Sequence, residues 1–131
     1  MTARIDFLDT QFDPLPFEAA VAWLAARDAD SAYGYVVTPN VDHMVRLAEA
    51  PAEVTAAYRD AALCLCDSRV LARLARLAGV TLPVVPGSDL TAALFARVLR
   101  PGDRLCLIGG QAEDAARLRA LHPALDIVHH Q

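Results

Sequence analysis

The sequence predicts an α/β fold in which a mostly parallel sheet is flanked by helices. Three observations carry that expectation. Short apolar runs alternate with amphipathic stretches across the chain, joined by connections of a few residues, as βαβ units require. The run LCLC at 63–66 lacks polar alternation, the pattern of a strand covered on both faces. Four apolar segments each end in a polar or glycine cluster: Thr38, Pro39 and Asn40; Asp67 and Ser68; Gly109 and Gly110; His129 and His130. On parallel strands these clusters fall on one edge of one sheet, where loops and helix N-termini offer unpaired N–H groups to ligands.

Each element has its own signal. Residues 4–8 read as a short strand, and PFEAAVAWLAA at 16–26 as an amphipathic helix with Val21, Trp23 and Leu24 in its apolar stripe. Pro16 suits the first turn of that helix. The β-branched and aromatic run at 33–37 is a strand that TPN terminates, and Asn40 caps a helix bearing Val41, Met44, Val45 and Ala48. Pro51 starts the next helix, which leads into the buried strand at 63–66. From 68 to 78 the period returns to helical, placing Val70, Leu71, Leu74 and Leu77 inward and Arg69, Arg73 and Arg76 in an outer stripe, with Gly79 as the C-terminal stop.

VTLPVVPGSDL is an extended path, and Ser88 is expected to cap a helix carrying Leu90, Leu94, Phe95 and Val98. PGD makes a turn, 104–108 is a strand, GG is a tight turn, and 111–121 is a helix with Ala115, Leu118 and Leu121 on its apolar side. Pro123 stops it, and a last strand begins at 126–128. The chain then ends without a helix to cover that strand, so a single α/β domain over 1–131, truncated at its C-terminus, is expected.

Bulk properties exclude several classes. The 131 residues suit one core. Mean hydropathy is high at +0.29, yet charges interrupt every stretch that approaches the roughly 20 apolar residues of a membrane span. The N-terminus MTARIDFLDTQFD lacks the pattern of a signal peptide, so a cytoplasmic location is expected. A net charge of -4 argues against nucleic acid as partner. All non-histidine basic residues are arginine, whose planar fork suits phosphate groups, although genomic base composition explains the bias equally well. Cys64, Cys66 and Cys106 lie in apolar runs and are expected to be reduced and buried; their spacing gives no metal site with Asp67 and His43.

Asp67 is the sharpest candidate for chemistry. It follows LCLC, an apolar setting that penalises a charged carboxylate, and a base placed there can deprotonate a hydroxyl. Its ordinary role would be N-cap of the following helix. Thr38 and Asn40 flank a proline that fixes the angle at which a hydroxyl and an amide are presented. Gly109 and Gly110, followed by Gln111, let a phosphate or ribose approach the backbone, although the full GxGxxG fingerprint is absent. Gly87, Ser88 and Asp89 form a loop with backbone donors. His43 reads as a solvated or packed imidazole, and His129 and His130 as a mobile tail.

Taken in order, VVTPNVDHMVRLAE, LCLCDS, VVPGSDL, RLCLIGGQ and HPALDIVHHQ resemble the motifs of the WecG/TagA/CpsF family of bacterial glycosyltransferases, over nearly the whole chain from Tyr33. The resemblance implies a Rossmann-like fold and an inverting enzyme of cell-surface polysaccharide synthesis. It would move N-acetylmannosamine, its uronic acid or a hexose from a UDP-sugar to a polyprenyl-diphosphate-linked acceptor. It further implies Asp67 as the base, with Thr38 and Asn40 lining the pocket; Ser68, Arg69, Gly87, Ser88, Asp89, Gly109, Gly110 and Gln111 complete the expected substrate-binding set, Arg69 as a replacement for a diphosphate-binding arginine. No metal or cofactor is implied. Work at the inner face of the cell membrane would follow, through a C-terminal segment beyond this chain, and self-association is left open.

The sequence departs from the family pattern at three places. Ser68 stands where glycine usually follows the aspartate, and Val84 and Val85 stand where an arginine for the leaving diphosphate is common. The PKQE-like continuation is missing. These departures keep a second reading in play, a catalytically degenerate nucleotide-sugar-binding module. A third, an unrelated α/β enzyme of phosphate chemistry, would rest on GG alone.

Overall fold

The computed structural model describes residues 3–131. It begins with a hairpin: β1 (Ile5–Phe7) pairs antiparallel with β2 (Thr10–Phe12). Leu8 and Asp9 make the turn with φ of 51° and 60°, the left-handed geometry that two-residue hairpins require. Only the first of these strands was expected. Asn-Gly usually announces such a turn, and Leu-Asp does not. Phe12 is fully buried and Thr10 nearly so, and these inward residues hold the turn in place.

After Pro16, α1 (Phe17–Ala25) buries Ala20 and Val21, and the Arg27 guanidinium sits 4.5 Å from the Trp23 ring centre. The strand expected at 33–37 shrinks to β3 (Val36–Val37), and Tyr33 is 91% exposed. β3 runs parallel to β4 (Leu63–Cys64), with α2 (Val41–Leu47) and α3 (Ala52–Arg59) between them in sequence. Backbone pairing extends past the strands: the Leu65 N–H donates to the Val37 carbonyl at 2.9 Å and the Asp67 N–H to the Pro39 carbonyl at 3.0 Å. Val84 bridges Cys66 in parallel, and the Val85 N–H donates to the Cys66 carbonyl at 2.8 Å. Three extended segments therefore lie side by side and point the same way. Residues 63–66 are all buried, as their apolar pattern predicts.

Around this strand the core gathers Phe12, Met44, Cys64, Cys66, Leu71, Ala75 and Leu82. α4 (Arg69–Leu77) contributes only Leu71 and Ala75 as buried residues. Val70, Leu74 and Leu77, expected inward, are 56%, 47% and 86% exposed, because the contact face is narrower than the apolar stripe. α5 (Gly87–Ala93) starts after Pro86, so Ser88 lies inside the helix and is not its cap. The helix widens into π-type turns over Leu94–Val98.

An ion pair with a buried carboxylate joins the hairpin to β4. Asp13 exchanges two bonds with Cys64: its backbone N–H donates to the Cys64 carbonyl and its Oδ2 accepts the Cys64 N–H, both at 2.8 Å. Its Oδ1 accepts from Arg4 Nε at 3.2 Å, and the Arg4 fork also donates to the Arg59 and Ala61 carbonyls at 2.6 and 2.5 Å. Every polar atom of this buried carboxylate thus has a partner. No sequence signal marked it.

The chain divides into two compact units, one through Phe95 and one from Ala96 to Gln131. In the second, β5 (Arg104–Ile108) and β6 (Asp126–His130) pair in parallel with α6 (Ala112–Leu121) between them in sequence. His129 and His130 are therefore strand residues rather than a tail, His130 standing opposite Ile108. The four clusters do not share one sheet. Strands pair only as β1–β2, β3–β4 and β5–β6 among the described residues, so Asp67 and Gly109 end different sheets. Together the elements make a mixed α/β fold with small parallel sheets.

Cys64 and Cys66 are buried, whereas Cys106 is exposed because β5 turns alternate residues to solvent. Burial pushes the Cys64 thiol up from 9.0 to about 12, an effect that nearby Arg4 partly opposes and Asp13 and Cys66 reinforce. Burial also raises Cys66, against a hydrogen bond to the Ser68 carbonyl. An aromatic disulfide reagent should accordingly titrate one thiol in the native chain and three after unfolding. The unfolded chain ionises its thiols first, so stability conferred by a protonated Cys64 is complete below pH 9.0 and is lost as the pH climbs toward 12. Urea midpoints should fall over that window, and Cys64→Ala should flatten the fall.

Candidate functional site

The site is built where the three parallel segments end. Thr38 closes the first, Asp67 the second, and Pro86 and Gly87 the third. The Gly87 N–H donates to Asp67 Oδ2 at 3.1 Å. A Cβ on Gly87 would stand 2.7 Å from Thr38 Oγ1 and 3.5 Å from Asp67 Oδ2. A hydroxyl, a carboxylate and a backbone amide thus converge on one bare α-carbon, and only glycine leaves room for all three. Asp67 is half-buried and holds the Gly87 amide through Oδ2 alone. A hollow of about 330 Å³ opens beside Thr38 and Gly87, lined also by apolar Leu24, Leu90 and Leu94, with Asp67 behind Gly87 and outside the lining. Concavities of this size with a few convergent polar groups are the usual form of a small-molecule site.

Asp67 is free for this arrangement because Ser68 takes the capping role. Ser68 Oγ accepts the Leu71 N–H at 3.1 Å and starts α4, the part that the sequence also allowed to Asp67. Asn40 spends its Oδ1 on the His43 N–H at 3.2 Å, and His43 Nδ1 accepts the Asn40 N–H at 3.1 Å. That reciprocal cap gives His43 a structural part that its position on the helix did not announce. Ser88 and Asp89 are exposed on the first turn of α5, next to Gly87. Arg69 lies on α4 beside a separate cleft.

Gly109, Gly110 and Gln111 belong to the second unit. Gly109 and Gly110 adopt φ of 82° and 72°, a turn open to glycine. The Gly109 N–H donates to the His130 carbonyl at 2.8 Å, and His129 Nε2–H donates to the Gly109 carbonyl at 2.7 Å. The Gln111 N–H donates to Asp114 Oδ2 at 3.0 Å, which caps α6. Both amides are committed within the unit. Among the described residues no three His, Cys, Asp or Glu side chains gather as a metal ion would need.

Gly87→Ala offers a direct test of the convergence. The backbone there has no left-handed φ, but the added methyl overlaps Thr38 Oγ1, so the melting temperature should fall by several degrees. The Thr38 side chain must turn aside, and misplacement on the order of an ångström should lower activity by roughly tenfold to a hundredfold.

Against known families, residues 5–131 match the model of the glycosyl transferase WecG/TagA/CpsF family. The chain belongs to this family. A comparison with curated proteins finds no match. Membership makes this WecG/TagA/CpsF protein a glycosyltransferase of polysaccharide synthesis, acting between a nucleotide-sugar donor and an acceptor. No helix among its described residues is long and apolar enough to cross a membrane.

Proposed function

We propose that this chain is an inverting hexosyltransferase that uses a UDP-sugar and a polyprenyl-diphosphate-linked acceptor, with Asp67 as the base. The convergence of Thr38, Asp67 and Gly87 supports the reading. The Gly87 N–H fixes Oδ2, which leaves Oδ1 to receive the acceptor hydroxyl's proton. As the proton leaves, the acceptor oxygen bonds to the anomeric carbon, and the bond to the diphosphate oxygen breaks with its electron pair departing on UDP. Thr38 and Asn40 orient the sugar from the end of β3, and Ser68, Ser88 and Asp89 complete the surroundings, whereas Arg69 borders its own cleft. Gly109, Gly110 and Gln111, in the second unit, are kept as candidates for a phosphate or ribose contact on their own turn. The parallel pairings, each with helices between its strands, support the Rossmann-like architecture of this reading. A lipid-linked acceptor puts the work at the inner face of the cell membrane.

The test is transfer of labelled sugar by the purified chain to a lipid-linked acceptor, with the product's anomeric configuration read by NMR. Inversion is the expected result, and retention contradicts it. The alternative, a nucleotide-sugar-binding module, is favoured by Val84 and Val85, which offer no charge to a leaving diphosphate. It predicts UDP binding with no turnover on any donor.

A further inference from the structure

We propose that α4 is a docking surface for an anionic lipid bilayer. Arg69, Arg73 and Arg76 recur at i, i+4 and i+7 on one side of the helix, and Val70, Leu74 and Leu77 recur at the same spacing roughly 100° around it. Both stripes face outward, since the helix buries Leu71 and Ala75. Leu77 is 86% exposed and Val70 56%. Arginine beside exposed aliphatic side chains on one helix is the composition of a segment that lies in a membrane interface.

The charge pattern runs against what the helix itself needs. Like charges at i, i+3 and i+4 repel, and a cation in the first turn opposes the helix dipole. α1, α2, α3, α5 and α6 each carry an acidic residue in the first turn; α4 carries none and has Arg69 there. No Asp or Glu occurs between Asp67 and Asp89, and no ion pair engages these three arginines among the described residues, in a chain of net charge -4. Concentrated, uncompensated positive charge of this kind complements an anionic surface. The three guanidiniums also border a cleft of about 220 Å³ with Thr81 and Val84, room for a lipid phosphate. Leu74 borders a larger hollow as well, but Asp6 and Asp9 line it, so the contact is assigned to the α4 stripes.

The inference adds to the proposed function the surface that meets the membrane, and its test reads binding without transfer. The intact chain is sedimented with vesicles of phosphatidylcholine alone or mixed with phosphatidylglycerol. It should bind the mixed vesicles, release them as salt rises, and ignore the neutral ones. The triple variant Arg69→Gln, Arg73→Gln, Arg76→Gln should lose on the order of a hundredfold in partitioning. Val70→Ser with Leu77→Ser should lose roughly tenfold at unchanged charge. These side chains are exposed, and circular dichroism checks that the variants fold.

Equal binding by the triple variant overturns the proposal, as does a wild-type chain that stays in solution. Complete displacement by inorganic phosphate would assign the cleft to free phosphate. A dimer that Leu77→Ser dissociates would assign the apolar stripe to a second copy. A chain that transfers sugar to a soluble acceptor analogue yet ignores vesicles overturns this surface alone. One that binds vesicles and transfers nothing overturns the transferase reading alone.

Discussion

Asp67→Asn is expected to lower sugar transfer by about 10²–10⁴-fold, the range that a positioned general base supplies. The substitution is nearly isosteric, and the asparagine oxygen can still accept the Gly87 N–H, so the meeting of Thr38 and Gly87 survives. Ser68 caps α4 independently of residue 67, and the Asp67 N–H to Pro39 bond belongs to the backbone. Stability and UDP affinity should therefore stay close to those of the parent. Labelled-sugar incorporation measured beside calorimetric UDP binding separates the two quantities. Loss of both together would make Asp67 a structural residue, and unchanged transfer would remove it from the chemistry.

Asp13→Ala is expected to destabilise the fold by about 2–4 kcal/mol, because it leaves the buried Cys64 N–H unpaired and takes the counter-charge from Arg4, which keeps only its two carbonyl acceptors. A domain's whole stability is about 5–15 kcal/mol, so a large share of it should be lost. Asp13→Asn keeps an acceptor for Cys64 and loses only the charge opposite Arg4; it should cost less. Urea denaturation of the two variants beside the parent gives the comparison. A cost below about 1 kcal/mol for alanine would show that the network holds little of the fold. The pair also explains why the hairpin turn persists with two non-glycine residues at positive φ: its outgoing strand leads directly into Asp13, whose backbone and side chain are tied to β4.

Patterns of local origin were legible in the sequence. LCLC declared a buried strand, Asn40 a cap, Gly79 a helix stop, and 104–108 a strand with its full bounds. Facts decided by distant partners were not. Tyr33 has strand propensity, but only Val36 and Val37 find ladder partners on β4. Val70, Leu74 and Leu77 have helical spacing, yet they stay exposed, and Asp13 acquires its meaning only from Arg4 and Cys64. His129 and His130 looked like a tail because the ladder that orders them lies in β5.

The candidate site was legible in the same partial way. Thr38 and Asp67 stood out as residues at strand ends, and Gly87 as a loop glycine. Their convergence depends on the bridge from Val84 to Cys66, which no local pattern marks. The prolines around Val84 and Val85 announced the extended path, but not that it would pair with Cys66 and so carry Gly87 to Asp67.

The convergence of Thr38, Asp67 and Gly87 as a sugar-nucleotide site is tested most directly by titrating UDP into the isotopically labelled chain and following amide and methyl NMR signals. The account predicts that the Gly87 amide and the Thr38 methyl shift first and saturate together, with Asp67→Asn leaving that response in place. Signals at Gly87 and Thr38 that stay still while UDP binds elsewhere would contradict it.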